Sequence, residues 1–422
     1  MITDSSYKEK FVKKLSFLLP PFDRFVAKGE LPEQEPLFPS REKYIKHISE
    51  IIKHEGSMII PVISEVGGGK THFLWGIYNS FDIDAVTAFL SFPRSKEKIL
   101  YYFYSNFIKQ FGQSNLRDFS QNFGDKFGAA ERLFGFFRTQ NIERISSSAV
   151  NQLQKDYDKE SLEQCVNVIV QHLMNNDKSQ IAERWLLGQL MDDDDLFLLN
   201  ATEDLSNESV AKTMLKLIIE HNSRDVVLLF DDLDKAAKEF DDGGLVNWAG
   251  DLNEDCEDGD ACNNEFALLE EIFGLMEDIN NLKIIVTLEQ ADSAKFIKWL
   301  NSKRNTSSVH IADPLELGPI TLKDAYHLYF SRLRNFCLKY HVTHPVADST
   351  FKLDKDFKEF EDIFGEDLYF PINQEILEVV YGIKFGNPRE ILRNFKSIFD
   401  AIIFEEAGID EIQTEYNRFL RS

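Results

Sequence analysis

Cysteine is scarce in this chain and nowhere closely paired. Cys165, Cys256, Cys262 and Cys337 include no CxxC spacing, so neither a zinc site nor a disulfide framework is indicated and reduced thiols are expected. Long apolar runs are missing as well: none approaches the roughly 20 residues of a membrane span, and the opening MITDSSYKEKF lacks the hydrophobic centre of a signal peptide. A soluble, cytoplasmic protein without membrane contact is the expectation. Basic charge is also short, with 47 Lys and Arg against 71 Asp and Glu and a formal net charge of -24. Phosphate backbones are held by Lys and Arg, so this balance works against indiscriminate nucleic-acid binding. The deficit is concentrated, because residues 239 to 282 carry fourteen acids and no Lys or Arg. A basic surface elsewhere therefore stays open.

What is abundant is phenylalanine, 36 residues spread along 422, which points to helix-rich packing. The length suits one large domain with insertions or two to three ordinary ones.

The most informative stretch is Met58 to Phe73, MIIPVISEVGGGKTHF. An Ile- and Val-rich run enters a glycine turn that ends in Lys70-Thr71 and opens into a helix-compatible segment. The phosphate-loop pattern of Gly, four residues and Gly-Lys-Thr is met at Gly69-Lys70-Thr71, with Ser64 at the first glycine position. Gly67, Gly68 and Gly69 let the backbone turn N–H groups toward phosphate oxygens, at a helix N-terminus that favours anions. Lys70 would reach the β and γ phosphates and Thr71 would ligate Mg²⁺. The bland alternative is a glycine-rich strand-to-helix turn with a chance lysine.

In chain order, residues 1–38 read as a helical leader and a Pro-punctuated linker. Ser40 caps an amphipathic helix with Tyr44, Ile45, Ile48, Ile51 and Ile52 on one face. Residues 85–92 read as a strand. The helix that follows carries Tyr101, Tyr104, Phe107 and Phe111, a stripe that could stack bases but at this spacing is better read as core. Residues 113–223 are helix-like and polar, an insertion that ends one helix at Arg184-Trp185-Leu186-Leu187-Gly188. The run Asp192 to Asp195 is read as a solvated helix cap. Asp225 to Lys235, DVVLLFDDLDK, is a doubly buried strand of a parallel sheet. Its terminal Asp231 can hold the water shell of Mg²⁺, and Asp232 can orient or deprotonate a water. The acidic segment 239–265 includes a calcium-loop look-alike from Asp251 to Glu257. Cys256 and Cys262 stand there in place of the Gly and Glu such a loop needs, so a mobile acidic loop is the reading. Residues 282–288 form the next strand, ending near Thr287, and a short strand follows around 309–312. Thr321 caps a helix, and Gly386-Asn387-Pro388-Arg389 breaks the chain and starts another.

Together these pieces resemble the AAA+ ATPases, in their origin-recognition and STAND-like branch, over roughly residues 38 to 405. The resemblance implies an α/β P-loop NTPase: a parallel sheet flanked by helices in two parts (39–112 and 224–320), the helical insertion 113–223 and a C-terminal helical lid over 321–422. It implies ATP and Mg²⁺, with Ser64, Glu65, Val66, Gly67, Gly68, Gly69, Lys70, Thr71 and His72 as the Walker A stretch. Arg41, in Ser40-Arg41-Glu42, is similar to the family's Gly-Arg-Glu ahead of the loop. Asp231-Asp232-Leu233-Asp234 is similar to the Walker B ending of STAND and KAP-type NTPases. By the same resemblance Thr287 is a sensor-1 residue, Arg389 a sensor-2 arginine and Arg304 or Lys303 a trans-acting arginine finger. The order of motifs, including Arg-Trp-Leu-x-Gly, is also similar to the ATP-binding proteins of BREX-type phage defence. Only about thirty residues follow Arg389, too few for the winged helix of an origin-recognition initiator. The expected function is a slowly hydrolysing regulatory ATPase acting through a protein or nucleic-acid partner, with a homo-oligomer compatible. A STAND-like switch that assembles on ATP binding and a non-hydrolysing scaffold are the alternatives.

Overall fold

A computed structural model describes residues 5–24, 37–81, 85–91, 98–129, 142–174, 178–233, 267–304, 306–347, 362, 365–405 and 407–421. The acidic segment 239–265, with Cys256, Cys262 and the calcium-loop look-alike, and also Asp234 lie outside the described residues. The protein is α/β, with a parallel sheet flanked by helices. It divides into two compact units, residues 1–49, 63–79 and 316–422 in one, 50–62 and 80–315 in the other.

The second unit holds the sheet. β1 is Met58–Ser64, whose last two residues pass into the first unit; β2 is Ala85–Leu90, β3 Asp225–Phe230, β4 Leu282–Glu289, β5 His310–Ile311 and β6 Leu315–Glu316. The order is β2-β3-β4-β1-β5, with β6 also against β1. β2 with β3, β3 with β4, and β1 with β5 run parallel. β1 to β4 are buried almost throughout, which explains their continuous apolar runs: a parallel sheet covered on both faces has no polar side. Leu282 starts at the expected position because Ser57 anchors it, accepting from the Leu282 N–H at 3.3 Å. The buried Lys283 ammonium donates to the carbonyls of His54 and Gly56. Burial pushes its pKa down.

Residues 113–223 are mostly helical where described, with turns and irregular stretches between the helices. The helix Ile99–Gly124 (α4) runs through the expected boundary at 113, with Gly112 at φ 78° interrupting its helical dihedrals. Its stripe is core: Tyr104, Phe107 and Phe111 are buried. The Arg184-Trp185-Leu186-Leu187-Gly188 segment docks on this face. The Tyr101 hydroxyl donates to Gly188 O and the Tyr104 hydroxyl to Leu186 O, while the fully buried Trp185 indole donates to Glu203 O at 3.0 Å. Asp192 caps the next helix, accepting from Asp195 N–H at 2.8 Å. The aspartate run is thus a helix start, as its composition suggests.

The first unit is built around one aromatic core. The N-terminal helix Ser5–Phe17 inserts Phe11 beside Phe336 and Phe370, with ring centroids 5.9 and 5.7 Å away. Phe22 stacks on Tyr329 at 5.5 Å and meets Phe399 edge-on at 4.8 Å. Leader and C-terminal helices therefore share one buried cluster. The chain separation of more than 300 residues left no local trace of this pairing. The helix Leu322–Tyr340 starts at Thr321 in a full capping box with Asp324.

His344 sits in this core. Its Nδ1 accepts from Val346 N–H at 3.1 Å, so Nε2 carries the proton and donates to Phe370 O at 2.9 Å. Burial pushes its pKa down to about 4, outweighing the opposing hydrogen bond to Phe370. The folded chain thus refuses a proton that the unfolded chain accepts below about pH 6.5. Stability is full above that pH and is lost as pH falls toward 4, by about 2–3 kcal/mol. Urea unfolding at pH 7.5 and 4.5 should show this loss, and His344→Gln should be less stable at pH 7.5 yet lose less on acidification.

Candidate functional site

The residues singled out in the sequence fall into two groups, one in each unit. In the first unit, β1 ends at Ser64 and the loop 65–69 leads into the helix Lys70–Ser80 (α3). Gly67 and Gly69 have φ of +75° and +91°, values that side chains rarely tolerate. Gly68 N–H donates to Glu65 O at 3.0 Å, and Phe73 N–H donates to Gly69 O at 2.9 Å as the first helical bond. The loop is therefore a tight turn at a helix N-terminus. Glu65 and Val66 are exposed, Gly67, Gly69, Thr71 and His72 half-buried, and Gly68 and Lys70 buried. The His72 ring packs on Phe38, centroids 4.5 Å apart.

Ser64, the departure from the pattern, is accommodated by its neighbours. Its hydroxyl is buried, donates to Leu317 O at 3.1 Å and occupies the space that a methyl on Gly68 would need. Gly68 has no positive φ, so this overlap is its principal constraint, with Glu65 O at 3.1 Å the next contact. Gly68→Ala should cost about 1–3 kcal/mol by overpacking, and adding Ser64→Gly should return most of it. Thermal unfolding of the two variants checks this.

Arg389 lies against the same loop. The helix Pro388–Phe404 (α14) begins there. Its Arg389 N–H donates to Gly67 O at 3.3 Å, and the Asn387 amide donates to Val66 O at 2.9 Å. A methyl on Gly67 would sit 2.8 Å from both Arg389 Cβ and Asn387 Oδ1. Glycine at 67 thus serves close approach as well as dihedral freedom. Arg41 is buried, its guanidinium donating to Gly318 O, and burial pushes its pKa down against the nearby Tyr44 and Asp324. Asp324 is buried too, yet hydrogen bonds from Ser40 and Thr321 outweigh that burial and hold its carboxyl low. The structure therefore places Arg41 in a fixed link between residues 40–41 and the segment 317–324.

In the second unit, Phe230 pairs with Val286 in register, which sets Asp231 and Asp232 beside Thr287. The fully buried Thr287 hydroxyl donates to Asp231 Oδ1 at 2.6 Å and accepts from Asp232 N–H at 2.8 Å. Asp232 has φ +48°, a strained value for a non-glycine residue, held by that bond. Asp231 and Asp232 are half-buried. Arg304 is elsewhere in this unit: its guanidinium donates to Ile311 O at 2.9 Å and to Asp313 Oδ1 at 3.0 Å. It covers the outward carbonyl of β5, a short strand at the sheet's end, in the way that edges are protected from further pairing.

Sequence reasoning singled out the loop, both aspartates, Thr287 and Arg389, and overlooked Asn387 and Leu317 as partners of the loop. Asn before Pro at a helix start is a capping signal, but its second contact, to Val66, has no local signature. Among the described residues no three His, Cys, Asp or Glu side chains gather as a metal cage, and no helix is long and apolar enough to cross a membrane. Set against family models, characterised proteins and solved structures, the chain matches none.

Proposed function

We propose that the chain is an AAA+-like P-loop ATPase that binds Mg-ATP, hydrolyses it slowly and passes its nucleotide state to a protein partner. The observation that carries this reading is the glycine turn at the N-terminus of α3, with a buried lysine as its first helical residue and an arginine-bearing helix start bonded to its carbonyls. What supports a polyphosphate here is the turn's position, since backbone N–H groups at a helix N-terminus favour anions. Mg²⁺ is ordinarily held by one or two carboxylates together with phosphates and waters; by the resemblance, Thr71 and Asp231 would supply such oxygen donors, and the ion would neutralise charge on the phosphates. Lys70 binds phosphate oxygens and Arg389 reads terminal charge. Asp232 orients the attacking water, and Thr287 holds both aspartates in place. Aspartate is one methylene shorter than glutamate, so slow turnover is expected.

The net charge of -24 supports a protein partner over autonomous DNA binding. Mg-ATP turnover with and without DNA, alongside mass by light scattering, tests the reading. Slow turnover independent of DNA supports it, and a DNA-stimulated rate that falls with salt points to a nucleic-acid partner. ATP-dependent assembly would mark a STAND-like switch, and binding without turnover a scaffold. Absence of ATP binding overturns the proposal.

A further inference from the structure

We infer that Asn387 is a positioning residue for the phosphate loop, holding the loop's amides in their orientation from the first turn of α14. Its side chain is divided between two tasks. The Oδ1 atom accepts from Glu390 N–H at 3.3 Å and caps the helix, while Nδ2 donates to Val66 O at 2.9 Å. A planar trans peptide points its C=O and N–H in opposite directions. Fixing the Val66 carbonyl on Asn387 therefore aims the Gly67 N–H away from α14, and the bond from Arg389 N–H to Gly67 O does the same for the Gly68 N–H. That second amide is already in a turn with Glu65, so both ends of the turn are anchored. The helix that carries Arg389 thereby sets the direction of the loop's donors.

The anchorage extends beyond one bond. Gly386 O accepts from Ile320 N–H at 2.9 Å, and a methyl on Gly386 would lie 2.5 Å from Ile320 O. Leu317, three residues earlier, donates its N–H to Ile63 O at 2.8 Å and accepts from Ser64. Both sides of the loop, Ile63-Ser64 and Val66-Gly67, are thus tied to the segments that begin the C-terminal helices. Displacing α14 would rotate loop amides, and ordering the loop around an anion would hold α14 in place. This coupling rests on the ATP reading for its purpose, but not for its existence.

Asn387→Ser separates the two tasks, since serine is as good a helix cap as asparagine but has no N–H₂ to offer Val66. In the nucleotide-free protein, amide hydrogen exchange over residues 64–71 should quicken about 3- to 10-fold, the worth of one neutral hydrogen bond. Exchange over 390–400 should stay at the wild-type rate. Asn387→Ala should quicken both segments. Affinity for trinitrophenyl-ATP should fall by a similar factor in the serine variant. Wild-type exchange over 64–71 in Asn387→Ser, or loss of protection confined to 390–400 in both variants, would overturn the inference. If the wild-type protein fails to bind the ATP analogue while the loop exchange responds as described, the ATP reading falls and the positioning role stands.

Discussion

Lys70→Met is expected to weaken Mg-ATP binding about 10- to 100-fold, the range of a hydrogen bond to a charged group expressed as affinity. Methionine keeps most of the volume of the lysine stem, which matters because Lys70 is only 6% exposed. A truncation to alanine would mix a lost phosphate contact with a packing defect. Calorimetric titration with Mg-ATP, paired with thermal unfolding of the apo protein, separates the two. A binding loss with an unchanged apo melting temperature assigns Lys70 to the phosphates. Wild-type affinity in Lys70→Met would remove the central assignment, whatever the turnover.

Lysine at this position was legible because the chemistry of the loop is local. A turn that must present N–H groups needs glycines, and a helix that follows needs a start, so strand, glycines, Lys-Thr and helix occur within sixteen consecutive residues. Strands β1 to β4 were legible for a related reason: a sheet buried on both faces leaves uninterrupted runs such as Val226 to Phe230, with ends off by one or two residues, whereas the two-residue β6 leaves no such run. The aromatic face of α4 followed from periodicity.

Most of the other findings depend on pairs of residues distant in sequence. Ser64 read as a departure from the pattern, and its acceptance rests on the absence of a side chain at Gly68 and on the carbonyl of Leu317. The N-terminal helix read as a separate leader because nothing near Phe11 or Phe22 announces Tyr329, Phe336 or Phe399. Arg304 read as a finger for a neighbouring subunit by its position in a resemblance, while its geometry in this chain is that of a cap on Ile311 O. Gly112 shows the converse limit: its φ of 78° interrupts a helix whose side-chain pattern continues across it.

Thr287→Val is expected to lower ATP turnover about 100-fold with nucleotide binding little changed. Valine is the same shape as threonine without the hydroxyl, so the fully buried site keeps its packing and loses two polar contacts at once. Asp232 N–H loses its acceptor and Asp231 loses a donor at 2.6 Å. Each such hydrogen bond is worth about 0.5–3 kcal/mol, the most where a partner is charged. The strained φ of +48° at Asp232 has one fewer bond to hold it, so the carboxylate that is to orient water would wander. Misplacing a general base forfeits much of the roughly 100- to 10,000-fold that such a group contributes. Thr287→Ser supplies the hydroxyl again and should recover most of the rate at some cost in packing. Single-turnover kinetics of the two variants at saturating Mg-ATP decide the matter. Equal rates in valine and serine forms would show that Thr287 is only a packing residue and that Asp232 does not act through it.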